Sequence, residues 1–468
     1  MPPMRSGLML GLSILVLCAP LTSDARGEVA SSKPHQYADL LRKQCDALVA
    51  SALKRPYGWG WADASDGDAK LAAQKIPVSL EPGATPAAGL LLLYSSELLQ
   101  EPAYADAARQ VARGVSAGQR ANGKFPSQAL FARTNVLSIE QASALPDRGS
   151  TRASLALLLS LIDDTNKEKQ QEEIARAASR GTRWLVKQQA DPGGWPVTFP
   201  PGAPPTRATR LIRLDTPDTR DSILTMLLGY EVMGDPFHRR SVEKSLEFLV
   251  KVRSGAGLPV GAGLWESACT LSGLAHEKSP DFPEGYDTLA SRNCMQAFLG
   301  AWVILGDGQR LIAADLAGRS IQDLIKNEDG GAWHRHYSSK GATLDPRVND
   351  EHRPVFGTGA AEAPKSDPLL APTLEAIEKA KALGREKYRE RLRTRAPLKH
   401  FLAQVTVGLT SEVMPADFPA TAAEVAPYLK RHEALFGSMN GTEGDLRERV
   451  KRTWAIYLRA RIERELGI

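Results

Sequence analysis

The sequence predicts an all-α protein: an (α/α) toroid built from repeated helix pairs of about 70 residues, with extra helices at its C-terminal end. Three observations lead to this prediction. Glycine-aromatic turns recur at even spacing, two amphipathic helical segments precede each later turn, and strand-type alternation is confined to short pieces such as residues 334–337. A helix pair cannot bury its apolar face alone, so neighbouring pairs must stack.

The turns set the repeat. Successive aromatics lie 66, 70, 70 and 68 residues apart, in the turns Gly58-Trp59, Gly123-Lys124-Phe125, Gly193-Gly194-Trp195, Gly263-Leu264-Trp265 and Gly330-Gly331-Ala332-Trp333. Glycine ends the second helix of each pair, and we expect the aromatic to plug the junction with the next pair.

Four helix pairs follow the first turn. Their apolar residues recur at helical spacing in segments 88–99 with 104–119, 152–163 with 170–189, 221–233 with 241–253, and 292–305 with 309–326. The segments 136–147, 197–217 and 255–288 are too long for simple connectors. We expect them to form the rim of a cleft at one end of a closed toroid, rather than the edge of an open solenoid.

The N-terminus has the features of a secretory signal peptide. Arg5 precedes an apolar run over residues 7–17, and residues 23–25 form a small-x-small cleavage site. The run is too short to span a bilayer, which takes about 20 residues. We therefore predict a signal peptide over residues 1–25 and a secreted or periplasmic protein without a membrane anchor. Whether Cys269 and Cys294 form a disulfide is left open.

The remaining chain divides by character. Residues 26–364 contain the repeats and are predicted to form the toroid domain, and residues 365–468 a C-terminal helical extension. In the extension, segments 369–395 and 446–466 are charged and helical, and Asp445 is a candidate N-cap. They either cap the open side of the toroid or form a separate appendage.

Composition excludes several classes. The 468 residues are 43% hydrophobic and 24% charged, which is typical of a globular protein rather than a disordered or fibrous one. Four cysteines exclude a disulfide-rich scaffold. A net charge of +5 permits an anionic partner but is too small to indicate nucleic acid. We expect a monomer.

Arginine and histidine accumulate in the late non-helical segments. His334, Arg335 and Tyr337 follow the last turn, and Arg353 lies further along. Such groups suit an anionic ligand, because a guanidinium binds a carboxylate through two hydrogen bonds. The alternative is that they satisfy loop backbone and surface. Trp195 likewise has two interpretations, a sugar-stacking residue or a core plug.

Three segments resemble family 10 pectate lyases. Residues 188–200 are similar to the Gln-x-x-Asn-Gly-Gly-Trp-Pro signature of that family, residues 216–224 to its Asn-Asp-Asp-Ala-Met segment, and residues 331–354 to its Trp-Ala-Arg-Phe-Tyr…Asn-Arg-Pro block. The resemblance implies an α/α toroid that cleaves polygalacturonate-type uronans by calcium-assisted β-elimination. The implied partner is an anionic, pectate-like polysaccharide.

The resemblance also implies roles for particular residues. The catalytic candidates are Arg335 and Arg353, with the identity of the base left open between them and Arg292. The substrate-binding candidates are Trp195, Arg292, His334 and Tyr337, and the Ca²⁺ ligands would be Asp221 and Asp218.

The sequence also departs from the pectate lyase pattern. Consecutive carboxylates of the family are replaced by residues 219–221, in which only Asp221 is acidic. This departure favours a second hypothesis, a non-catalytic carbohydrate-binding or structural toroid. A third, a terpenoid-cyclase-like enzyme, is disfavoured because the chain has no Asp-x-Asp-Asp motif.

Overall fold

The structure is a computed structural model, and it describes residues 36–62, 75–138, 148–162, 169–196, 211–253, 263–271, 285–326, 336–337, 343–348, 354–357, 370–410, 419, 421–431 and 445–467. Within these ranges there are fourteen helices: α1 Gln36–Ser51, α2 Thr85–Leu99, α3 Pro102–Ala117, α4 Arg148–Leu161, α5 Lys169–Lys187, α6 Asp218–Met233, α7 Pro236–Lys251, α8 Thr288–Leu305, α9 Gly308–Lys326, α10 Leu370–Leu383, α11 Arg385–Arg393, α12 Leu398–Thr406, α13 Ala422–Arg431 and α14 Leu446–Leu466.

The predicted toroid of helix pairs is confirmed. Helices α2, α4, α6 and α8 pack on one another in that order and form the inner layer. Their outer partners are α3, α5, α7 and α9. Every residue of α4 except Gly149 is buried, whereas α3 and α5 keep one exposed polar face. A helix buried on all faces belongs to a core, and an amphipathic one belongs to a surface.

Three inner helices begin about one turn before their apolar periodicity predicts. The pattern placed the starts of α4, α6 and α8 at residues 152, 221 and 292, but they begin at Arg148, Asp218 and Thr288. The extra turns are polar yet buried, with Arg148 only 1% exposed. Hydrophobic periodicity cannot detect a buried polar turn.

Both ends of the described chain contribute to the same ring. Helix α1 packs against α14, and both contact α2. One continuous hydrophobic core contains buried residues from Leu41 of α1 to Ala460 of α14. Residues beyond 364 are therefore part of the core of the repeats, while the division of the chain into domains stays a prediction.

Helix α12 fills the interior of the ring. All of its residues except Lys399 are buried, and it packs against α4 and α6. The hydroxyl of Tyr94 donates to the carbonyl of His400, while the backbone N–H of Gly83 donates to the carbonyl of Val407. Because Gly83 lies beside Val407 and the later residue Tyr94 beside the earlier residue His400, α12 runs antiparallel to α2.

The glycine-aromatic turns share one geometry. In three of them the backbone N–H of the aromatic residue donates to a hydroxyl on the next inner helix: Phe125 to Thr151, Trp195 to Thr219, and Trp265 to Ser291. In two, a glutamine side chain closes the turn, Gln119 on the carbonyl of Gly123 and Gln189 on the carbonyl of Gly193. The repeated motif therefore builds the corner between helix pairs.

Short strands occupy the connections. They are β1 Leu53–Arg55, β2 Gly58–Gly60, β3 Lys75–Ser79, β4 Gln128–Ala132, β5 Val136–Ser138, β6 Leu211–Arg213, β7 Ala268–Thr270, β8 Tyr286–Asp287, β9 His336–Tyr337, β10 Thr343–Val348 and β11 Pro354–Gly357. They pair antiparallel as β1-β2, β3-β4-β5, β6-β7 and β8-β9-β10-β11. Strands β3, β6 and β8 each lead into an inner helix, which places these sheets at one end of the ring. No described helix is long and apolar enough to cross a membrane.

Candidate functional site

The first turns of α4, α6 and α8 bring a set of charged residues together at that end of the ring. We call this set the rim cluster: Arg148, Arg152, Arg213, Asp215, Asp218, Arg220, Asp221, Asp287, Arg292 and Asn293. Parallel inner helices begin at the same end, so polar residues in their first turns converge there. Buried charges require partners, and the partners are mostly within the cluster.

Asp218 is a carboxylate of the rim cluster that has two arginine partners and a partly exposed side chain. Arg152 donates to it through Nη2 at 2.9 Å, and Nη2 of Arg148 lies 3.7 Å from its other oxygen. Burial alone would raise the pKa of Asp218, but the charges of Arg152 and Arg148 outweigh it and hold the pKa below its ordinary value. Its side chain is 22% exposed against 1% for Arg148 and 6% for Arg152. Asp218 is thus an ionised, oriented and accessible carboxylate.

Arg148 is buried without a hydrogen bond. All three of its guanidinium nitrogens lack a hydrogen-bond partner, and the ion pair with Asp218 is its charged contact among the described residues. Burial lowers its pKa to about 10, against the opposing charge of Asp218. Buried polar groups are normally satisfied, so Arg148 is an exception that its ion pair with Asp218 has to compensate.

Asp221 lies in a neighbouring network. Arg220 donates to it through Nε at 2.8 Å, and the same guanidinium donates to Asn293 at 3.1 Å and to Gln296 at 3.0 Å. Arg292 also donates to Asn293, at 3.3 Å. The structure therefore brings three of the predicted site residues, Asp218, Asp221 and Arg292, to the same end of the ring.

The loop before α6 is tied to β7 beside the cluster. The backbone N–H groups of Leu214 and Asp215 donate to the carbonyl of Ser267, and the hydroxyl of Ser267 donates to Asp287. Asp287 in turn caps α8 by accepting from two backbone N–H groups. The half-buried Glu266 directly precedes Ser267, which places a further carboxyl group at the rim.

The remaining predicted residues have other positions. Trp195 is 0% exposed and its indole N–H donates to the carbonyl of Leu185, so it offers no free ring face. Tyr337 is buried in β9, paired with Tyr286. His334, Arg335 and Arg353 lie outside the described residues.

The donor set does not suit calcium. Asp218 and Asp221, the predicted ligands, each have arginine partners, and Ca²⁺ needs six to eight oxygen ligands without competing cations. Among the described residues, no group of three or more His, Cys, Asp or Glu side chains could hold a metal ion. The residues around Asp218 thus give no support to the calcium prediction, and we derive no step through a metal.

Sequence reasoning missed Arg148, Arg152 and Glu266. Helical periodicity gives Arg152 as the first residue of a helix, and Arg148 lies between that helix and the loop segment 136–147. A run of two arginines four residues apart, at the start of an otherwise apolar helix, was the available signal.

No protein-family model and no curated protein matches the chain. Solved structures with a similar fold include a family 76 glycoside hydrolase (mannosidase) from Bacteroides thetaiotaomicron, with 9% identity, 92% of this chain and 99% of that chain covered, and a TM-score of 0.46. An inactive α-1,6-mannanase variant from Salegentibacter in complex with α-1,6-mannotriose has 11% identity, coverages of 91% and 100%, and a TM-score of 0.44. An α-amylase from Clostridium perfringens has 14% identity, coverages of 92% and 99%, and a TM-score of 0.42. Likeness at this level concerns the fold alone.

The pectate lyase prediction is wrong. The similar structures are glycoside hydrolases, not lyases. The physical reason lies in the motif on which the resemblance rested: Gln189, Gly193 and Trp195 build a corner, and the corner with Gln119, Gly123 and Phe125 repeats it. Such a motif reports the architecture and not the reaction. The lyase activity and the pectate-like ligand are withdrawn with it.

Proposed function

We propose that this chain is a glycoside hydrolase acting on a neutral polysaccharide at the rim cluster. The observation that carries the proposal is the carboxylate of Asp218, which two buried arginines keep ionised and oriented while it remains partly exposed. Proteins with similar folds include mannanases and an amylase, which is consistent with a glycan substrate.

Hydrolysis of a glycosidic bond generally uses two carboxyl groups, one ionised and one that donates a proton to the leaving oxygen. Asp218 fits the ionised role, either as the base that activates water or as the nucleophile. Glu266 is our candidate for the acid, because it is half-buried at the same rim and directly precedes Ser267, whose hydroxyl donates to Asp287. Asp215 and Asp287 are held by Arg213 and by the start of α8.

The buried arginines have a supporting role in this proposal. Arg152 fixes Asp218 and also donates to the hydroxyl of Ser222 at 3.3 Å, which prevents rotation of the guanidinium. Arg148 is only 1% exposed, so it acts through Asp218, whose pKa its charge lowers. A neutral glycan suits the exposed part of Asp218, because sugar hydroxyls donate to a carboxylate.

The test is release of reducing ends from α-1,6-mannan, α-glucan, β-1,3-1,4-glucan and polygalacturonate. We expect activity on a neutral glycan, a fall of at least about 100-fold in kcat for Asp218→Asn, and little change for Asp315→Asn. Asp315 of the outer helix α9 is a matched control because it is paired with Arg319 of the same helix and with Lys381 of α10, and its pKa is also lowered. Binding of a neutral glycan without hydrolysis would favour the non-catalytic toroid, and equal losses in both variants would remove Asp218 from the site.

A further inference from the structure

A groove of about 650 Å³ lies on the outer surface of the ring, away from the rim cluster. Helices α3 and α5 form its walls, and Tyr57 from the turn between β1 and β2 borders it. Its volume is within the range of small-molecule sites, about 300–1,000 Å³.

The charge of the groove favours an anion. Arg113, Arg176 and Arg180 line it against one carboxylate, that of Glu173. Arg180 is exposed and makes no hydrogen bond or ion pair with any described residue, so its guanidinium is available. Arg113 is held in place by donating to the carbonyl of Pro56 at 3.3 Å.

Two further groups complete the lining. The hydroxyl oxygen of Ser116 is buried and has no hydrogen-bond partner among the described residues. The hydroxyl of Tyr57 donates to the carbonyl of Ala132 at 2.7 Å, so this residue contributes its ring and not its hydroxyl to the groove. Because the Ser116 oxygen is buried, Ser116 borders the groove without offering its hydroxyl to a ligand.

The position of Tyr57 is fixed by backbone packing. Gly58 has φ of +140° and lies so close to Gly114 of α3 that a Cβ atom on either residue would overlap the backbone of the other segment. The hairpin is thereby held against α3, next to Arg113. The groove is consequently pre-formed, which reduces the entropy lost on binding.

We propose that this groove binds a small organic oxyanion, a carboxylate or phosphate carried on a sugar-sized ring. The guanidinium groups of Arg113 and Arg180 receive the oxyanion, and the face of the ligand packs on Tyr57. The site is independent of the function proposed for the rim cluster, since no residue is shared.

The test is calorimetric titration of the full chain with glucose 6-phosphate, glucuronate and glucose. We expect a Kd below about 1 mM for one or both anions, weaker at high salt, and no binding of glucose. The two anions distinguish a phosphate ligand from a carboxylate ligand. Arg180→Ala and Arg113→Ala should each weaken binding by at least about tenfold.

Arg183→Ala is the matched control. Arg183 is exposed on the same helix, but it does not line the groove, and its charge acts on His238 of α7. No binding of either anion at about 10 mM, equal binding of glucose, or an equal loss in Arg183→Ala would each overturn the proposal. Because the titration needs no turnover, its failure is distinct from a failure of the proposed hydrolysis, and Asp218→Asn should bind the anion as the parent chain does.

Discussion

Gly193 lies directly against the backbone of Lys244, so that a Cβ atom added to Gly193 would overlap the Lys244 carbonyl oxygen. Its φ is +124°, a conformation that residues with side chains rarely adopt. The corner formed by Gly123 has the same relationship to Arg180. The spacing between helix pairs is therefore set by glycines that let a turn touch the next outer helix.

The first prediction concerns this contact. Gly193→Ala should lower the free energy of unfolding by at least about 3 kcal/mol, because the turn has to move away from α7. Gly234→Ala is the control, since Gly234 also has a positive φ of +65° but nothing within 4 Å of an added Cβ. That variant should lose only about 1–2 kcal/mol. Urea unfolding measures both, and equal losses would contradict the packing argument.

The second prediction separates the two interpretations of Trp195. If Trp195 is a core plug, as its 0% exposure indicates, Trp195→Ala should lower the free energy of unfolding by about 3–5 kcal/mol. Trp184 is only partly buried against the same core, so Trp184→Ala should lower the free energy of unfolding by less. If Trp195→Ala unfolded like the parent chain and lost only glycan binding, the sugar-stacking interpretation would be correct.

The third prediction compares the two arginines beside Asp218. Arg152 donates to the carboxylate, to the carbonyl of Asp218 and to Ser222, so Arg152→Met should cost about 3–5 kcal/mol. Arg148 has no hydrogen bond to lose, and Arg148→Met removes a buried charge. We expect the free energy of unfolding of Arg148→Met to stay within about 1 kcal/mol of that of the parent chain, while its rate of hydrolysis falls. Chemical denaturation together with a reducing-end assay gives both quantities, and a large loss of stability in Arg148→Met would show a structural role.

The fourth prediction concerns pH. His400 of α12 lies 3.7 Å from the Glu97 carboxylate, but burial lowers its pKa to about 3, so the imidazole is neutral and the two form no ion pair. The unfolded chain binds a proton at His400 below about pH 6.5, while the folded chain does not until about pH 3. Stability should therefore decrease as the pH falls from about 6.5 towards 3.

His400→Gln should make that decrease shallower, because glutamine has no proton to gain. His238→Gln is a second test of the same effect: burial lowers the pKa of His238 too, so this variant should also make the decrease shallower. Thermal melts across this pH range check the prediction. A pH dependence in His400→Gln identical to that of the parent chain would contradict it.

The repeat and the toroid were accessible from the sequence because they depend on local, periodic signals. Glycine-aromatic turns and helical periodicity report corners and apolar faces directly. The rim cluster was only partly accessible: Asp218, Asp221 and Arg292 are among the predicted site residues, but as parts of a calcium and uronate site that the resemblance implied. Arg148 was missed because its partner Asp218 is 70 residues further along, and no local pattern joins them.

Helix α12 shows a second limit. The sequence analysis predicts helices over residues 369–395 and 446–466 but none at α12, and nothing in its nine residues indicates that it will be enclosed on all sides. That position depends on contacts such as Tyr94 with His400, whose ring centroids are 4.3 Å apart although the residues are separated by 306 positions. Such contacts follow from the closed ring and not from local preference.

The pairing of α1 with α14 determines the order in which the molecule can assemble. The backbone N–H of Tyr37 donates to the carboxylate of Glu463, 426 residues later, so this junction forms only after nearly all of the chain has left the ribosome. Until then α1 and α2 both lack their contacts with α14, and the apolar surfaces that α14 covers remain available to chaperones or to other chains. Closing so long a loop is slow compared with forming each helix pair. Refolding should therefore show early helix formation followed by a late step in which Trp454 becomes buried.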